Sequence, residues 1–226
     1  MTSGRGVLGR GRATQSSGYL GIILCSALLI AANLYGRIYA SLGETLKQAF
    51  FQVSSIMTTT GYATTDFDLW PSFSKGILFA LMFVGGSAGS TAGSVKVIRL
   101  LVAGKVMKRE FARILHPQAA TPITIDGKAT PPEVVQGVAS FYLLYFAVFA
   151  LGSLIISLEG LDLFSAMSAV AATLGNIGPG FGAVGPSETF ALFSPFSKLL
   201  LSLFMLLGRL ELFTLLVIFT PGFWRE

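Results

Sequence analysis

Charge is scarce in this chain. Of 226 residues only 12% are Asp, Glu, Lys or Arg, 53% are hydrophobic, and mean hydropathy is +0.71. Soluble domains carry roughly 25% charge, so a water-facing surface cannot be covered and a soluble globular protein is excluded. Disorder is excluded as well, because 19 Phe and long aliphatic runs supply ample apolar surface. The one cysteine, Cys25, rules out a disulfide framework or a thiolate metal cluster. The one histidine, His116, argues against a multi-histidine metal site. Residues 1–17 are rich in Gly, Arg and Ser and have no apolar core, so no signal peptide is expected. An all-α integral membrane protein remains.

Uncharged stretches mark the spans. A spanning helix needs about 20 mostly apolar residues, and stretches 19–36, 76–95, 134–158 and 199–220 qualify, the last interrupted by Arg209 and Glu211. The uncharged stretches 48–65 and 163–187 do not, because their apolar parts are short and run into Thr58-Thr59-Thr60-Gly61-Tyr62 and Gly175-Asn176-Ile177-Gly178-Pro179-Gly180. Such segments read as re-entrant, since irregular backbone at membrane depth is tolerated only where it lines protein or water. With four spans, residues 1–18, 96–133 and the C-terminal end share one side, which holds eleven of the sixteen basic residues. That side is expected to be cytoplasmic, with both re-entrant segments opening from outside. These inner loops account for the pI near 9.5 without nucleic acid.

The chain also repeats itself. Phe73-Ser74-Lys75 recurs as Phe196-Ser197-Lys198, and at that spacing Met82 falls on Met205 and Gly85 on Gly208. Upstream, Gly61 matches Gly178 at a spacing six residues shorter, which puts an insertion in the second outer loop. Each repeat reads span, re-entrant helix, Gly-containing loop, span. The two share one orientation, which implies an axis along the membrane normal.

A short helix that returns as a Gly-containing loop presents carbonyl oxygens, which can replace the hydration shell of a monovalent cation. Thr59, Thr60, Gly61 and Tyr62 have this chemistry, and Asn176, Ile177, Gly178 and Pro179 are their counterparts. An ordinary Gly/Pro turn outside the membrane is the plainer alternative. Residues 85–94 are all Gly, Ser, Ala or Thr, too many small residues for a rigid helix. Gly85, Gly89 and Gly93 would equally suit close helix packing at four-residue intervals. Lys96 comes next at the inner boundary, where a snorkelling anchor is an alternative. An intramembrane Arg such as Arg209 faces a cavity or a partner. It is expected either to project into the ion path as an electrostatic barrier or to bridge two helices.

The motifs Thr58-Thr59-Thr60-Gly61-Tyr62-Ala63-Thr64, Gly85 through Gly93, Leu174 through Gly180 and Gly208-Arg209-Leu210-Glu211 resemble the Trk/Ktr/HKT superfamily of potassium transporters. The resemblance runs over about residues 19–226, including the ending Phe219 to Glu226, and is to the third and fourth repeats of bacterial Trk-type membrane subunits. It implies two membrane–pore-loop–membrane repeats, 18–116 and 133–226, joined by a cytoplasmic connection at 117–132, with 1–17 outside the family. Thr59, Thr60, Gly61, Tyr62, Asn176, Ile177, Gly178 and Pro179 would form two filter quarters for transported K+. Gly85, Gly86, Ser87, Ala88, Gly89, Ser90, Thr91, Ala92, Gly93, Lys96 and Arg209 would form the gate. The remaining quarters would come from missing N-terminal repeats or a second copy. Implied partners are membrane lipid, a homodimer mate and a cytoplasmic nucleotide-binding regulatory subunit docking on Lys105 to Glu133. The implied place is the bacterial inner membrane with both termini cytoplasmic, and no cofactor or enzymatic activity is expected.

Two other readings compete. Gly85-Gly86-Ser87-Ala88-Gly89 fits the G-x-S-x-G nucleophile elbow of a serine hydrolase. That chemistry needs a base near Ser87, and His116 lies beyond the membrane boundary. The stretch is no phosphate-binding loop, because the lysine arrives only at Lys96. A non-conducting scaffold subunit is the other alternative.

Overall fold

The computed structural model describes residues 4–86, 93–115, 124–125, 128–210, 212 and 217, with side chains from residue 16 onward except 125, 128 and 129. Among them are seven helices, in chain order α1 (Gly4–Leu34), α2 (Leu42–Met57), α3 (Ser72–Met82), α4 (Val97–Leu115), α5 (Pro132–Ser157), α6 (Leu163–Leu174) and α7 (Pro195–Leu210). The fold is mostly helical. Strands β1 (Thr124–Ile125) and β2 (Lys128–Ala129) form an antiparallel pair of two residues each, a small departure from an all-α chain.

Among the described residues, two helices are long and apolar enough to cross a membrane, Ser16–Leu34 in α1 and Pro132–Ser157 in α5. At about 1.5 Å per residue they reach roughly 28 and 39 Å, against a hydrocarbon core of about 30 Å. α1 starts at Gly4, so the helix runs unbroken through the boundary expected at residue 17; the first proline is Pro71.

The span expected at 76–95 is not one continuous helix, as its run of small residues predicts. Helix α3 has 11 residues and stops at Met82, and the next described helix starts at Val97. In between, the two legs of the Gly-rich stretch bond each other. Gly85 N–H donates to Val95 O (2.9 Å), Val95 N–H to Phe83 O (3.2 Å) and Val97 N–H to Gly86 O (3.2 Å). This neck satisfies backbone groups that a helix would otherwise satisfy, as an apolar medium demands. A side chain at Gly85 would run into the Gly93 carbonyl, so the legs close only with glycine there. Of the last expected span, 199–220, the structure describes helix α7 as far as Leu210, then Leu212 and Val217; the rest lies outside the described residues.

Each half holds a short helix between longer ones: α2 packs on α1 and α3, and α6 on α5 and α7, with α3 also touching α6. Nine of the twelve α6 residues are buried, mostly Ala, Ser and Val. Small side chains let helix backbones approach where lipid removes the usual hydrophobic drive. Across the halves, Phe79, Phe164 and Phe181 meet with ring centroids 5.3–6.4 Å apart, and Phe67 joins them edge-on to Phe181 at 5.2 Å. Such pairs add about 0.5–1.5 kcal/mol each beyond area burial.

The halves share a register. α2 ends at Met57 and α6 at Leu174, the same spacing as Gly61 to Gly178. Short 3-10 turns at Phe67–Leu69 and Phe190–Leu192, and helix starts at Ser72 and Pro195, keep the longer spacing of the Phe-Ser-Lys motif. Lys75 Nζ donates to the Asp68 carbonyl (3.0 Å) and Lys198 Nζ to the Ala191 carbonyl (2.9 Å), at matching positions. The six extra residues fall where a third turn, Gly182–Val184, folds back on α6. There Ala183 N–H donates to Ser165 Oγ (3.0 Å) and Phe181 N–H to Ser168 Oγ (2.9 Å).

Asp162 caps α6 by accepting from Ser165 N–H (3.0 Å) and Ser165 Oγ (2.5 Å). The Ser165 hydroxyl, then its N–H, holds the Asp162 carboxyl below its ordinary pKa. A depressed folded pKa means that this stabilisation is complete above the unfolded carboxylate range and is lost as pH falls through the folded value. Asp162→Ala should therefore destabilise the chain by about 1 kcal/mol at neutral pH, read as earlier thermal unfolding in detergent. The gap to wild type should narrow below about pH 4; a gap independent of pH would show that the carboxylate is not what holds the cap.

Candidate functional site

The two candidate loops have the same backbone. After α2, Thr60 N–H donates to Ser55 O (2.9 Å) and Thr59 N–H to Ile56 O (3.0 Å). After α6, Ile177 N–H donates to Ala172 O (2.9 Å) and Asn176 N–H to Thr173 O (3.0 Å). This is the Schellman helix end, in which the residue after the cap turns left-handed. Thr59 (φ 55°) and Asn176 (φ 54°) occupy that position, and Gly61 (φ 76°) and Gly178 (φ 112°) come two residues later with positive φ again. Asn tolerates this region, but a β-branched Thr does so at a cost of roughly 1–2 kcal/mol. Both helices aim their C-terminal ends, each carrying about half a negative charge, at these loops.

The loops touch. A Cβ on Gly61 would collide with the Ile177 carbonyl oxygen and lie 3.1 Å from Pro179 Cδ. The structure thus brings Gly61, Ile177 and Pro179 together. Around them, Ser55 Oγ donates to Tyr62 O (2.6 Å), and the Thr58 and Thr60 hydroxyls share a hydrogen bond (2.7 Å). Tyr62 itself is 73% exposed, its side chain left open beside the contact between the loops.

Beneath the second loop, three segments meet at the Leu174 carbonyl. Ser94 N–H donates to it (3.4 Å), a Cβ on Gly93 would lie 3.0 Å from it, and a Cβ on Gly208 would strike it. Asn176 Nδ2 donates to Met205 O (3.0 Å), one turn earlier on α7. Gly93 and Gly208 therefore lie at one level, with Arg209 next on the exposed face of the last turn of α7. Lys96 is half-buried at the foot of the neck. Of the expected gate, Gly85, Gly86 and Gly93 are described, whereas Ser87, Ala88, Gly89, Ser90, Thr91 and Ala92 lie outside the described residues, as do His116 and Glu211.

Sequence reasoning missed the ties that hold the loops in place. Asp68 Oδ2 accepts from Gly182 N–H (3.1 Å) while its Oδ1 pairs with Lys75 (3.3 Å). Asp66 Oδ2 accepts from Ser187 Oγ (3.0 Å), so the first outer loop is bound to the second. Glu159 accepts from the Ser194 and Ser197 hydroxyls (2.5 Å each), joining the end of α5 to the start of α7. The Ser194 hydroxyl first, then that of Ser197, holds the Glu159 carboxyl below its usual range. The Asp66-x-Asp68 spacing at a turn was the one sequence signal for any of these. Ser94 gave none beyond its place among small residues.

Known proteins resemble this chain in sequence and overall fold. The TrkH family, described as cation transport protein, matches residues 37–225. The Trk system potassium uptake protein TrkH of Salmonella typhimurium is 44% identical over 205 residues, 91% of this chain and 41% of that protein. The Trk system potassium uptake protein TrkI of Halomonas elongata is 35% identical, covering 91% of this chain and 42% of its own length. The crystal structure of the potassium transporter TrkH from Vibrio parahaemolyticus superposes with a TM-score of 0.86 at 41% identity, over 93% of this chain and 45% of that one. The chain spans about two fifths of the length of these curated relatives. By the match over residues 37–225, it belongs to the TrkH family of cation transport proteins.

Proposed function

We propose that this chain supplies two of the four quarters of a potassium-conducting pore. Residues 18–116 and 133–226 are two membrane–pore-loop–membrane repeats with α2 and α6 as pore helices, joined by a cytoplasmic connection at 117–132. The single observation that carries this is the pair of matched left-handed turns at Thr59 to Gly61 and Asn176 to Gly178, meeting at Gly61 and Ile177. Neutral carbonyls at the negative ends of two short helices suit a monovalent cation, and the relatives' names specify potassium uptake.

Thr59, Thr60, Gly61, Tyr62, Asn176, Ile177, Gly178 and Pro179 line the path. The Gly85 to Gly93 stretch with Lys96 and Arg209 gates it from below. The open flanks beside Ser54–Tyr62 and beside Thr173, Gly178 and Met205 are where the other two quarters sit. Those come from preceding repeats or from a second copy. Lys and Arg bias places the connection and both termini in the cytoplasm of a bacterial inner-membrane protein. The basic end of α4 and the connection form the docking side for a nucleotide-binding regulatory subunit, with a homodimer as the assembled unit.

Rubidium uptake in potassium-uptake-deficient cells tests this, with the chain expressed alone and beside the first two repeats of a related transporter. Uptake that needs the supplied half makes this chain one half of a four-part pore, and uptake from the chain alone means two copies complete it. No uptake in either case, with the protein present in the membrane, would replace this function with a scaffold role.

A further inference from the structure

We infer that Asp68 is a positioning residue for ion selectivity, its carboxylate holding the chain that leaves the second pore loop against the first half. This rests on the pore function proposed above and deepens it. Asp68 Oδ2 accepts from Gly182 N–H (3.1 Å), and its Oδ1 pairs with Lys75 Nζ (3.3 Å). Beside this bond, Phe67 and Phe181, both buried, meet edge-on with ring centroids 5.2 Å apart. Residues 67 and 68 of one half thus meet 181 and 182 of the other. Together with the approach of Gly61 to Ile177 and Pro179, this closes a ring, 61 to 68 on one side and 177 to 182 on the other. Each arm is also pinned to its own short helix. Ser55 Oγ donates to Tyr62 O (2.6 Å) and Thr64 Oγ1 to Gln48 Oε1 (2.5 Å), while Phe181 N–H donates to Ser168 Oγ (2.9 Å). Neither arm has slack, so the outer bond at Asp68 sets how closely the loops approach at Gly61. Discrimination between monovalent cations rests on the size of the site or on the field of its carbonyls, and both change when the loops part.

The repeat separates this task from local turn formation. At the longer spacing of the Phe-Ser-Lys motif, Asp66 falls on Thr189 and Asp68 on Ala191. Their backbones do the same work: Asp66 Oδ1 accepts from Asp68 N–H (3.0 Å) as Thr189 Oγ1 does from Ala191 N–H (3.4 Å), and each half's lysine reaches the carbonyl of the second residue. Only the side chain differs. Ala191 makes its turn without an acid, whereas the Asp68 carboxylate reaches Gly182, in the insertion that the first half lacks. Gly182 holds φ at 60° with no room for a side chain beside Ser165 Oγ, so the inserted turn presents its N–H in one fixed direction. The acid therefore stands where a partner from the other half exists. A hydrogen bond to an ionised acceptor is about twice as strong as a neutral one, and without it the Gly182 N–H loses its acceptor.

The test uses the full chain with the complementing half, in proteoliposomes, and reads rubidium and sodium fluxes. Asp68→Ala removes the acceptor and should raise the sodium-to-rubidium flux ratio about tenfold, the equivalent of one hydrogen bond to a charged group. Amide exchange across residues 176–182 should quicken by a similar factor. Asp68→Asn keeps an acceptor oxygen and should stay within about threefold of wild type on both readings. A ratio changed equally by the two variants would assign the effect to negative charge at the outer mouth and overturn the inference. Lower flux in Asp68→Ala at constant ratio would reduce Asp68 to a structural role and overturn it too. If wild type carries no rubidium, the pore function falls, and exchange alone then decides the clamp: quicker exchange in Asp68→Ala but not in Asp68→Asn keeps it, and any other pattern removes it.

Discussion

Gly61→Ala is expected to reduce rubidium uptake about a hundredfold, and Gly178→Ala only about tenfold, at equal amounts of protein in the membrane. Both positions are left-handed, at φ 76° and 112°, so either alanine carries strain of roughly 1–3 kcal/mol. Their surroundings separate them. The methyl group that Gly61→Ala adds meets the Ile177 carbonyl oxygen, which is backbone and cannot swing aside, and has Pro179 Cδ at 3.1 Å. Within this chain, beyond its two neighbouring residues, no heavy atom lies within 4 Å of a methyl added at Gly178. Relief at residue 61 requires the two loops to separate by some tenths of an ångström to an ångström. Displacement on that scale costs on the order of a hundredfold where function depends on placed atoms. Strain alone at residue 178 accounts for about tenfold. Equal losses, or a larger one at Gly178, would mean that the contact between the loops does not belong to the conducting pore.

Glycine carried much of what was legible in the sequence. Gly61 and Gly178 mark left-handed turns, and Gly85, Gly93 and Gly208 mark places where backbones touch. A glycine motif therefore reports close approach even when its partner is unknown. The repeat was legible for a related reason, since each matched residue performs the same local task, as Lys75 and Lys198 do on their outer carbonyls.

What stayed hidden depends on partners distant in sequence. A run of 20 uncharged residues at 76–95 satisfies the length criterion for a span, and hydropathy cannot see that Val95 finds Phe83 and Gly85 instead of helical neighbours. Thr59 looked like a neutral oxygen donor and gave no hint of its left-handed backbone, which the helix end imposes on an unwilling residue. Asp66 and Asp68 form no motif that the sequence singles out beyond their spacing at a turn. Their bonds to Ser187 and Gly182 span more than a hundred residues and leave no periodicity to find. Glu159 is similar: its hydroxyl partners come from the far end of the second outer loop.

Arg209→Ala is expected to change rubidium flux in the opposite direction to Gly61→Ala. Arg209 comes directly after Gly208, where a Cβ would meet the Leu174 carbonyl beneath the second loop, at the level of Gly93 and Ser94. A fixed positive charge there opposes a passing cation. At an effective dielectric of about 20 and a separation of roughly 8 Å the repulsion is about 2 kcal/mol, close to thirtyfold in rate. Arg209→Ala should therefore raise unregulated rubidium flux by up to about thirtyfold while leaving the sodium-to-rubidium ratio near wild type, since the two loops after α2 and α6 are untouched. Arg209→Lys keeps the charge and should stay within a few fold of wild type. High salt should blunt the difference, because an exposed charge is screened within about 8–10 Å at physiological ionic strength. If Arg209→Ala leaves flux unaltered, the charge is no barrier and its place on α7 serves packing between helices. If it lowers flux, Arg209 supports the open pore instead of closing it.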